Sequence, residues 1–406
     1  MRLRRSVIGF AAALVTATLV PLGAAPVHAD ETVPPFYRTP ATLPATNGEV
    51  IRSEPLDILV DPSRLFGVRS TATRVLYRST DRTGTPVAVS GSVIVPEKPW
   101  SGPGRRPVIG YAVGTQGIGD SCAPSRLFEE LLEYESIFMS GLLARGYAIA
   151  MTDYEGLGTE GMHTYMDRLS QGRAVIDMVR AAQRLPGTGL SPENPVAFYG
   201  YSQGGAGAAS AAELAGSYGS ELKVRGTVAG AVPADLTALP GAIDGTLYAE
   251  FLWFAIAGIS ASYDVDINEY LNDRGRTKFA EVSDDCVFDL FSTAFSKSQD
   301  YTADGQSLGE LIGREPFRTM IDDQRIGRTR PSAPVLVNHS LLDDVVPYRV
   351  GRQLAKDWCG KGGKVRLSTN ATPLHVGGML NHAAESYAFL EARFAGLPAA
   401  SSCWRL

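Results

Sequence analysis

The 406-residue chain has few cysteines, histidines and tryptophans, and it has no excess of basic charge. Its 38 Lys and Arg are outnumbered by 43 Asp and Glu, for a net charge of −5 at pH 7. That sign argues against a nucleic-acid binder, which needs a basic face to release phosphate counterions. The four cysteines, Cys122, Cys286, Cys359 and Cys403, show neither the close pairing nor the neighbouring histidine of a zinc site, so no metal is expected. Repeats and low-complexity blocks are missing. Beyond the N-terminus, every apolar run is broken by a charge, Gly or Pro before the roughly 20 residues that span a bilayer, so no transmembrane segment is expected. What is there suits a large buried core: 44% of residues are hydrophobic and 20% charged, the balance of a globular protein and not of a disordered one.

The first 29 residues read as an export signal. Arg2, Arg4 and Arg5 form a positive start, Val7 to Val20 is apolar and ends at Pro21, and Val27-His28-Ala29 offers small residues for cleavage before Asp30. Removing this segment takes away three arginines and leaves a net charge of −8. The mature chain is therefore expected to be secreted and extracellular, where four cysteines would form two disulfides. Three pairings are open, and spacing does not choose among them.

The mature chain alternates short buried-strand runs with helical patterns. A hairpin is expected from Thr73 to Arg78 and Val87 to Val95, turning at Asp81 to Gly84. Strands are expected at Val108 to Val113, Tyr147 to Met151, Val196 to Tyr199, Val224 to Ala231, Val335 to Val337 and Val365 to Leu367. Helices are expected at Leu127 to Arg145, Ser170 to Leu185, Gly204 to Leu214, Arg349 to Asp357 and Ala383 to Phe394. This order predicts an α/β protein, a mostly parallel sheet with helices on both faces. Residues 236–330 break the rhythm with an aromatic-rich segment, Tyr248 to Ile259, and read as an inserted helical cap between core segments 30–235 and 331–406.

The informative motif is Gly200-Tyr201-Ser202-Gln203-Gly204. A serine hydroxyl attacks a carbonyl only when a base removes its proton and when it stands clear of the sheet. A sharp strand-to-helix turn with small flanking residues achieves this. Here an apolar strand precedes the motif and the small-residue run Gly204 to Ala209 follows it. Gly305-Gln306-Ser307-Leu308-Gly309 fits the same pattern, but it follows a polar loop composition, so Ser307 is expected in an ordinary turn. A base and an orienting acid should follow in chain order. His375 is expected in a loop after the last strand and is favoured over His382, which falls closer to the final helix and suits a surface or capping role. His163 and His339 precede the acid and read as structural. In Asp343-Asp344-Val345-Val346-Pro347, Asp343 is favoured as the acid, and Asp344 would cap a helix or stay solvated. The oxyanion needs two N–H donors. One is the Gln203 backbone; the other comes from the glycine-rich loop Gly114 to Gly119, at Gln116 or Gly117.

At these residues the chain resembles the secretory lipases of fungi and actinobacteria, which have the α/β-hydrolase fold. The resemblance rests on Pro35-Phe36-Tyr37, Cys122-Ala123-Pro124-Ser125, Asp153-Tyr154-Glu155-Gly156-Leu157-Gly158, Gly172 to Asp177, the elbow, Asp343 to Pro347, and His375 ahead of Arg393-Phe394-Ala395-Gly396. It implies a secreted carboxylic-ester hydrolase that needs no cofactor, with Ser202, Asp343 and His375 as triad and a lid over an acyl pocket. It also implies pairing of Cys122 with Cys286 and of Cys359 with Cys403. The cap segment Phe251-Leu252-Trp253-Phe254-Ala255-Ile256 suits an apolar acyl chain or transient contact with a lipid–water interface, or else ordinary cap core, so an ester or lipid substrate is expected. The alternatives are an esterase for short-chain or polymeric esters, or a hydrolase fold that has lost catalysis and kept a binding role.

Overall fold

A computed structural model describes residues 33–58 and 66–406, so the expected export segment lies outside the described residues. The strands are β1 (Val50–Pro55), β2 (Ser70–Thr80), β3 (Pro86–Pro96), β4 (Val108–Ala112), β5 (Ala148–Thr152), β6 (Pro195–Tyr201), β7 (Lys223–Gly230), β8 (Val335–Ser340) and β9 (Val365–Asn370). They form one sheet in the order β1-β2-β3-β5-β4-β6-β7-β8-β9. Pairs among β1, β2, β3 and β5 are antiparallel, and every pair from β5 through β4 to β9 is parallel. β4 and β5 are buried at every residue, because helices cover both faces of the parallel part.

The helix Arg168–Arg184 opens with Asp167, whose carboxylate accepts from the Leu169 and Ser170 amides and so satisfies two orphan N–H groups of the first turn. It packs on the helix Gln203–Leu214 at Gly172, where a Cβ would stand 2.8 Å from the Ser210 Cβ. Three motifs that carry the resemblance meet in one buried cluster. Tyr37 lies 2.9 Å from Ser125 Oγ, and Ser125 donates its amide (3.0 Å) and hydroxyl (2.5 Å) to the Asp153 carboxylate. The motifs are far apart in sequence because each supplies one member of a hydrogen-bonded chain.

Between β7 and β8 the described chain contains helices and turns and no strand, the helices including Glu250–Ser262, Asp273–Val282 and Phe317–Asp323. Trp253, Phe254, Ile259 and Phe317 from this insertion share a continuous apolar core with Val335 and Val337 of β8 and with Trp358. Residues 33–406 form one compact unit, so the insertion does not stand apart as a domain of its own. A disulfide between Cys122 and Cys286 ties it to the loop after β4, and a second, Cys359–Cys403, ties the C-terminus to the helix Tyr348–Gly360. Both pairings are the ones the resemblance implied.

Three elements depart from the sequence reading. β1 was not anticipated; its short, half-buried pattern carries little signal. The expected helix Leu127 to Arg145 is two pieces, Pro124–Leu127 and Ser136–Ala144, broken where Leu131 takes a positive φ of 59°. The final helix spans His375–Phe394, eight residues longer at its start than expected, so His375 begins a helix and does not sit in a loop.

Candidate active site

Ser202 lies in the turn from β6 into the helix Gln203–Leu214, at φ 59° and ψ −123°. Such a conformation costs a non-glycine residue on the order of 1–3 kcal/mol and persists where the surroundings over-determine it. Crowding explains the flanking glycines. A Cβ on Gly200 would lie 2.1 Å from the Gly204 carbonyl oxygen, and one on Gly204 would lie 2.1 Å from that of Ala112. The Ser202 amide donates to the Gly230 carbonyl of β7 (3.0 Å), which anchors the turn to the sheet. Ser307, the serine of the second matching motif, is instead the N-cap of the short helix Leu308–Leu311, in a reciprocal bond with Glu310.

The two adjacent aspartates divide their work on one histidine. Asp343 Oδ1 and Oδ2 lie 2.9 and 2.8 Å from His375 Nδ1, and Oδ1 also accepts from the Val345 and Val346 amides (3.0 and 2.8 Å). Asp344 Oδ1 accepts from the His375 backbone amide at 2.7 Å, and its Oδ2 accepts from Tyr248 of the insertion at 3.2 Å. Asp344 therefore caps the helix that begins at His375, not the one following Pro347. Leu374, just before, is held at a positive φ of 67°. Burial pushes the Asp343 carboxyl up, but the hydrogen bond and charge of His375 outweigh it, so the group sits below the usual carboxylate range.

His375 packs on Tyr201, the neighbour of the serine. The ring centroids are 5.0 Å apart, and the Tyr201 hydroxyl donates to the His375 carbonyl at 2.8 Å. The imidazole Nε2 is buried and, among the described residues, bonds to no protein atom, Ser202 Oγ included. Catalytic hydrogen bonds of this kind often tighten only when substrate is bound.

The other histidines among the described residues are buried. His382 is fully enclosed between Tyr199 and Tyr201 (centroids 5.8 and 5.5 Å), so the expected surface or capping role is corrected. Its helix starts earlier than anticipated and turns this face to the sheet. Burial pushes its imidazole down to about 3. His339 donates Nε2–H to the Val346 carbonyl (2.8 Å) and stands 3.7 Å from Asp343. His163 touches the elbow itself. Its Nδ1 faces the Glu155 carbonyl at 2.8 Å, which can only accept, so Nε2 is left to accept from the Gln203 carboxamide at 3.1 Å. Burial pushes His163 down to about 4, which keeps it neutral for that task. No periodicity or motif in the sequence marked this contact.

Gln203 opens its helix, where the first-turn amides have no intrahelical partner and the helix dipole favours negative charge. In the loop after β4, Gly117 (φ 138°) pairs with Cys286 beside the disulfide, while Gln116 is buried just before it. Beside Ser202 and Gln203 lies a cavity walled by apolar side chains, among them Tyr165, Leu236, Phe251, Leu252, Ile256 and Val346. It encloses about 60 Å³, far below the roughly 300–1,000 Å³ of ordinary ligand pockets. Among the described residues no cluster of three or more metal-binding side chains occurs, and no helix is long and apolar enough to cross a membrane.

A serine elbow after a central parallel strand, an acid after β8 and a histidine after β9 define the α/β-hydrolase class. Solved structures agree on the fold. Candida antarctica lipase A in its closed state superposes with a TM-score of 0.77 at 22% identity, covering 90% of this chain and 86% of that one. The rice cell wall degrading esterase LipA from Xanthomonas oryzae superposes at 0.73 and 20% identity, covering 87% of this chain and 100% of that one. Within that class the chain belongs to the secretory lipase family, which it matches over residues 123–402. Its relatives include the secreted triacylglycerol lipase LIP7 of Malassezia globosa, 29% identical over 83% of this chain and 73% of that protein. Another is the probable inactive lipase MT1628 of Mycobacterium tuberculosis, 28% identical over 90% of this chain and 82% of that protein. The family is one of secreted lipases, and two disulfides fit an extracellular setting.

Proposed function

We propose that the protein is a serine carboxylic-ester hydrolase that cleaves acylglycerol esters through an acyl-enzyme on Ser202. His375 Nε2 takes the hydroxyl proton as Ser202 Oγ attacks the ester carbonyl. The Asp343 carboxylate fixes the imidazole tautomer and stabilises the imidazolium. The oxyanion rests on the Gln203 amide and on the loop Thr115 to Gly117, with Gln116 as the second donor. His375 then protonates the leaving alcohol; water, activated by the same imidazole, releases the acid and restores Ser202. The observation that carries this reading is the Asp343–His375 pair, whose imidazole packs on Tyr201, the residue preceding Ser202, with its buried Nε2 unbonded among the described residues.

The apolar cavity suits an acyl chain, and its small volume implies that the insertion, residues 236–330, acts as a lid that must move before a chain can enter. Phe288, Phe291 and Phe295, each more than half exposed on that insertion, are suited to transient contact with a lipid surface. A serine-directed phosphonate should label the wild type and leave Ser202→Ala unlabelled. Rates on esters of graded acyl length, and on emulsified against soluble substrate, separate a lipase from an esterase: no rise above the solubility limit assigns the short-chain reading. The name of the mycobacterial relative favours one rival, a fold without catalysis. Failure of the wild type to label would establish that rival.

A further inference from the structure

The break in the expected helix Leu127 to Arg145 leaves a three-residue segment, Glu133-Tyr134-Glu135, that runs along the loop Gly114-Thr115-Gln116, and each of its residues holds one residue of that loop. Glu135 Oε1 accepts from the Gly114 amide at 2.7 Å, while its Oε2 accepts from the Tyr111 hydroxyl at 2.5 Å. Tyr134 donates its hydroxyl to the Thr115 carbonyl at 3.0 Å. Glu133 Oε1 accepts from the Glu135 amide at 2.9 Å and stands 3.5 Å from the Gln116 side-chain nitrogen. Fit is tight on this side: a Cβ on Gly114 would meet Glu135 Oε1 at 2.5 Å and the Tyr134 hydroxyl at 2.8 Å. The same Cβ would lie 3.5 Å from the Tyr201 carbonyl, which places the loop beside the serine turn. From the far side Tyr165, which lines the apolar cavity, bonds Thr115 Oγ1 at 2.7 Å, and the Val287 amide donates to the Gln116 carbonyl at 2.6 Å. The Thr115 and Gln116 carbonyls and the Gly114 amide are thus engaged by the scaffold, while among the described residues the Thr115 and Gln116 amides donate to no other group.

Two polar atoms in this arrangement have no partner. Glu133 Oε2 and Gln116 Oε1 are both buried and unbonded, on side chains already joined through their other ends. Buried acceptors left unsatisfied on two joined side chains are unfavourable. A carboxylic acid against a carboxamide forms a two-bond ring instead: N–H to the acid carbonyl, acid O–H to the amide oxygen. A single proton on Glu133 satisfies both orphans. Burial, followed by the charge of Glu135, pushes the Glu133 carboxyl well up, in the same sense.

We infer that Glu133-Tyr134-Glu135 is a positioning strap for the oxyanion loop, with Glu133 acting as a neutral acid paired to the Gln116 carboxamide. This rests on the proposed ester hydrolysis, because only there do the loop amides meet a developing negative charge. None of the three side chains touches substrate; they fix where the Thr115 and Gln116 amides stand, and a misplacement of about 1 Å can cost roughly 100-fold in rate.

The test is a set of variants of the mature chain assayed on a soluble p-nitrophenyl ester. Glu133→Ala should lower kcat roughly 10- to 100-fold with KM within about twofold, since the lost interaction belongs to the transition state. Glu133→Gln keeps one donor and one acceptor at the same places and should stay within about threefold of wild type. Tyr134→Phe, which removes one hydroxyl from a partly exposed ring and should fold, is expected to lower kcat alone. Amide hydrogen exchange over residues 114–117 reads the scaffold without catalysis and should quicken in Glu133→Ala and Tyr134→Phe but not in Glu133→Gln. Equal loss in Glu133→Gln and Glu133→Ala, or wild-type kcat in Glu133→Ala and Tyr134→Phe, overturns the inference. A wild type that neither hydrolyses esters nor takes the phosphonate removes the hydrolase reading instead, and unchanged exchange in Glu133→Ala and Tyr134→Phe then overturns the strap as well.

Discussion

The division of labour between Asp343 and Asp344 can be separated by one change of atom type. In Asp343→Asn the amide oxygen can still accept from the Val345 and Val346 amides, so the turn should survive. The amide nitrogen then faces His375 Nδ1, where a carboxylate oxygen stood at 2.8 Å. A donor there selects the tautomer with the proton on Nε2, and an imidazole protonated at Nε2 cannot take the proton of Ser202. A comparable change of tautomer in the serine protease triad costs about 10⁴ in kcat, or about 5 kcal/mol of barrier. In Asp344→Asn the side-chain oxygen still accepts from the His375 amide at the helix start, and what is lost is the charge on that bond, on the order of 1 kcal/mol. Its kcat should stay within about tenfold of wild type. Steady-state kinetics on a soluble p-nitrophenyl ester, with thermal melting as a check on folding, compares the two. If both variants fall by the same factor, or if Asp343→Asn stays within about tenfold of wild type, the assigned roles are wrong.

Gly204→Ala should abolish soluble, active protein, because its Cβ would stand 2.1 Å from the Ala112 carbonyl oxygen on a strand that cannot withdraw; an active Gly204→Ala enzyme would contradict the elbow geometry. Removing Cys122–Cys286 by paired serine substitutions should destabilise more than removing Cys359–Cys403, since the bonds close loops of 164 and 44 residues, worth at most roughly 5 and 4 kcal/mol on chain entropy; chemical denaturation checks the order. Buried carboxyls and buried imidazoles should act on stability in opposite directions between about pH 4.5 and 6. Burial pushes Glu135 up to about 7 and Asp153 up to about 6, so their stabilising contribution is full below the unfolded carboxylate pKa and is lost as pH rises through those values. His163 and His382, pushed down to about 4 and about 3, contribute fully above the unfolded histidine pKa and lose that contribution as pH falls. Melting temperature against pH should therefore drop on the acid side below about 4.5, and His382→Leu should shallow that drop; an unchanged acid limb in the variant would count against the buried neutral imidazole.

The parallel sheet was legible because burial on both faces writes each central strand as an unbroken apolar run, and Val108, Val196 and Val335 mark three of them. The elbow was legible for a different reason: its glycines answer to backbone collisions, and those are local. Asp343 could be preferred over Asp344 from its place in the chain, but what Asp344 does could not be read, since its partners, the His375 amide and Tyr248, lie 31 and 96 residues away. His382 differs from its surface expectation because the final helix begins at His375, eight residues ahead of Ala383, and carries that ring to the sheet. The strap had no sequence signature at all. Glu133-Tyr134-Glu135 reads as a polar stretch of an amphipathic helix, and only the turn at Leu131 aims its carboxylates inward.

Where the insertion is fastened bears on how the closed cavity could open. Cys286 is bonded to Cys122, the Val287 amide donates to the Gln116 carbonyl, and the Ile118 amide donates to the Asp285 carbonyl, so one edge of the insertion is welded to the oxyanion loop. A motion that lifted this edge would drag the Gln116 backbone out of register with Ser202 and cost the reaction its donor. Another part of the cavity wall, Phe251, Leu252 and Ile256 with Leu308 and Ile312, is built of apolar side chains, whose contacts have no directionality to break. Opening on that side exposes hydrocarbon at roughly 25 cal/mol per Å², a cost that water enforces and a lipid surface removes. Preference for an interface would then follow from which edge of the insertion is covalently held. Cys122→Ser/Cys286→Ser enzyme should accordingly lose kcat on soluble ester, while the Phe251→Ala variant should gain activity on soluble ester relative to emulsified substrate; the reverse pattern would place the moving edge at Cys286.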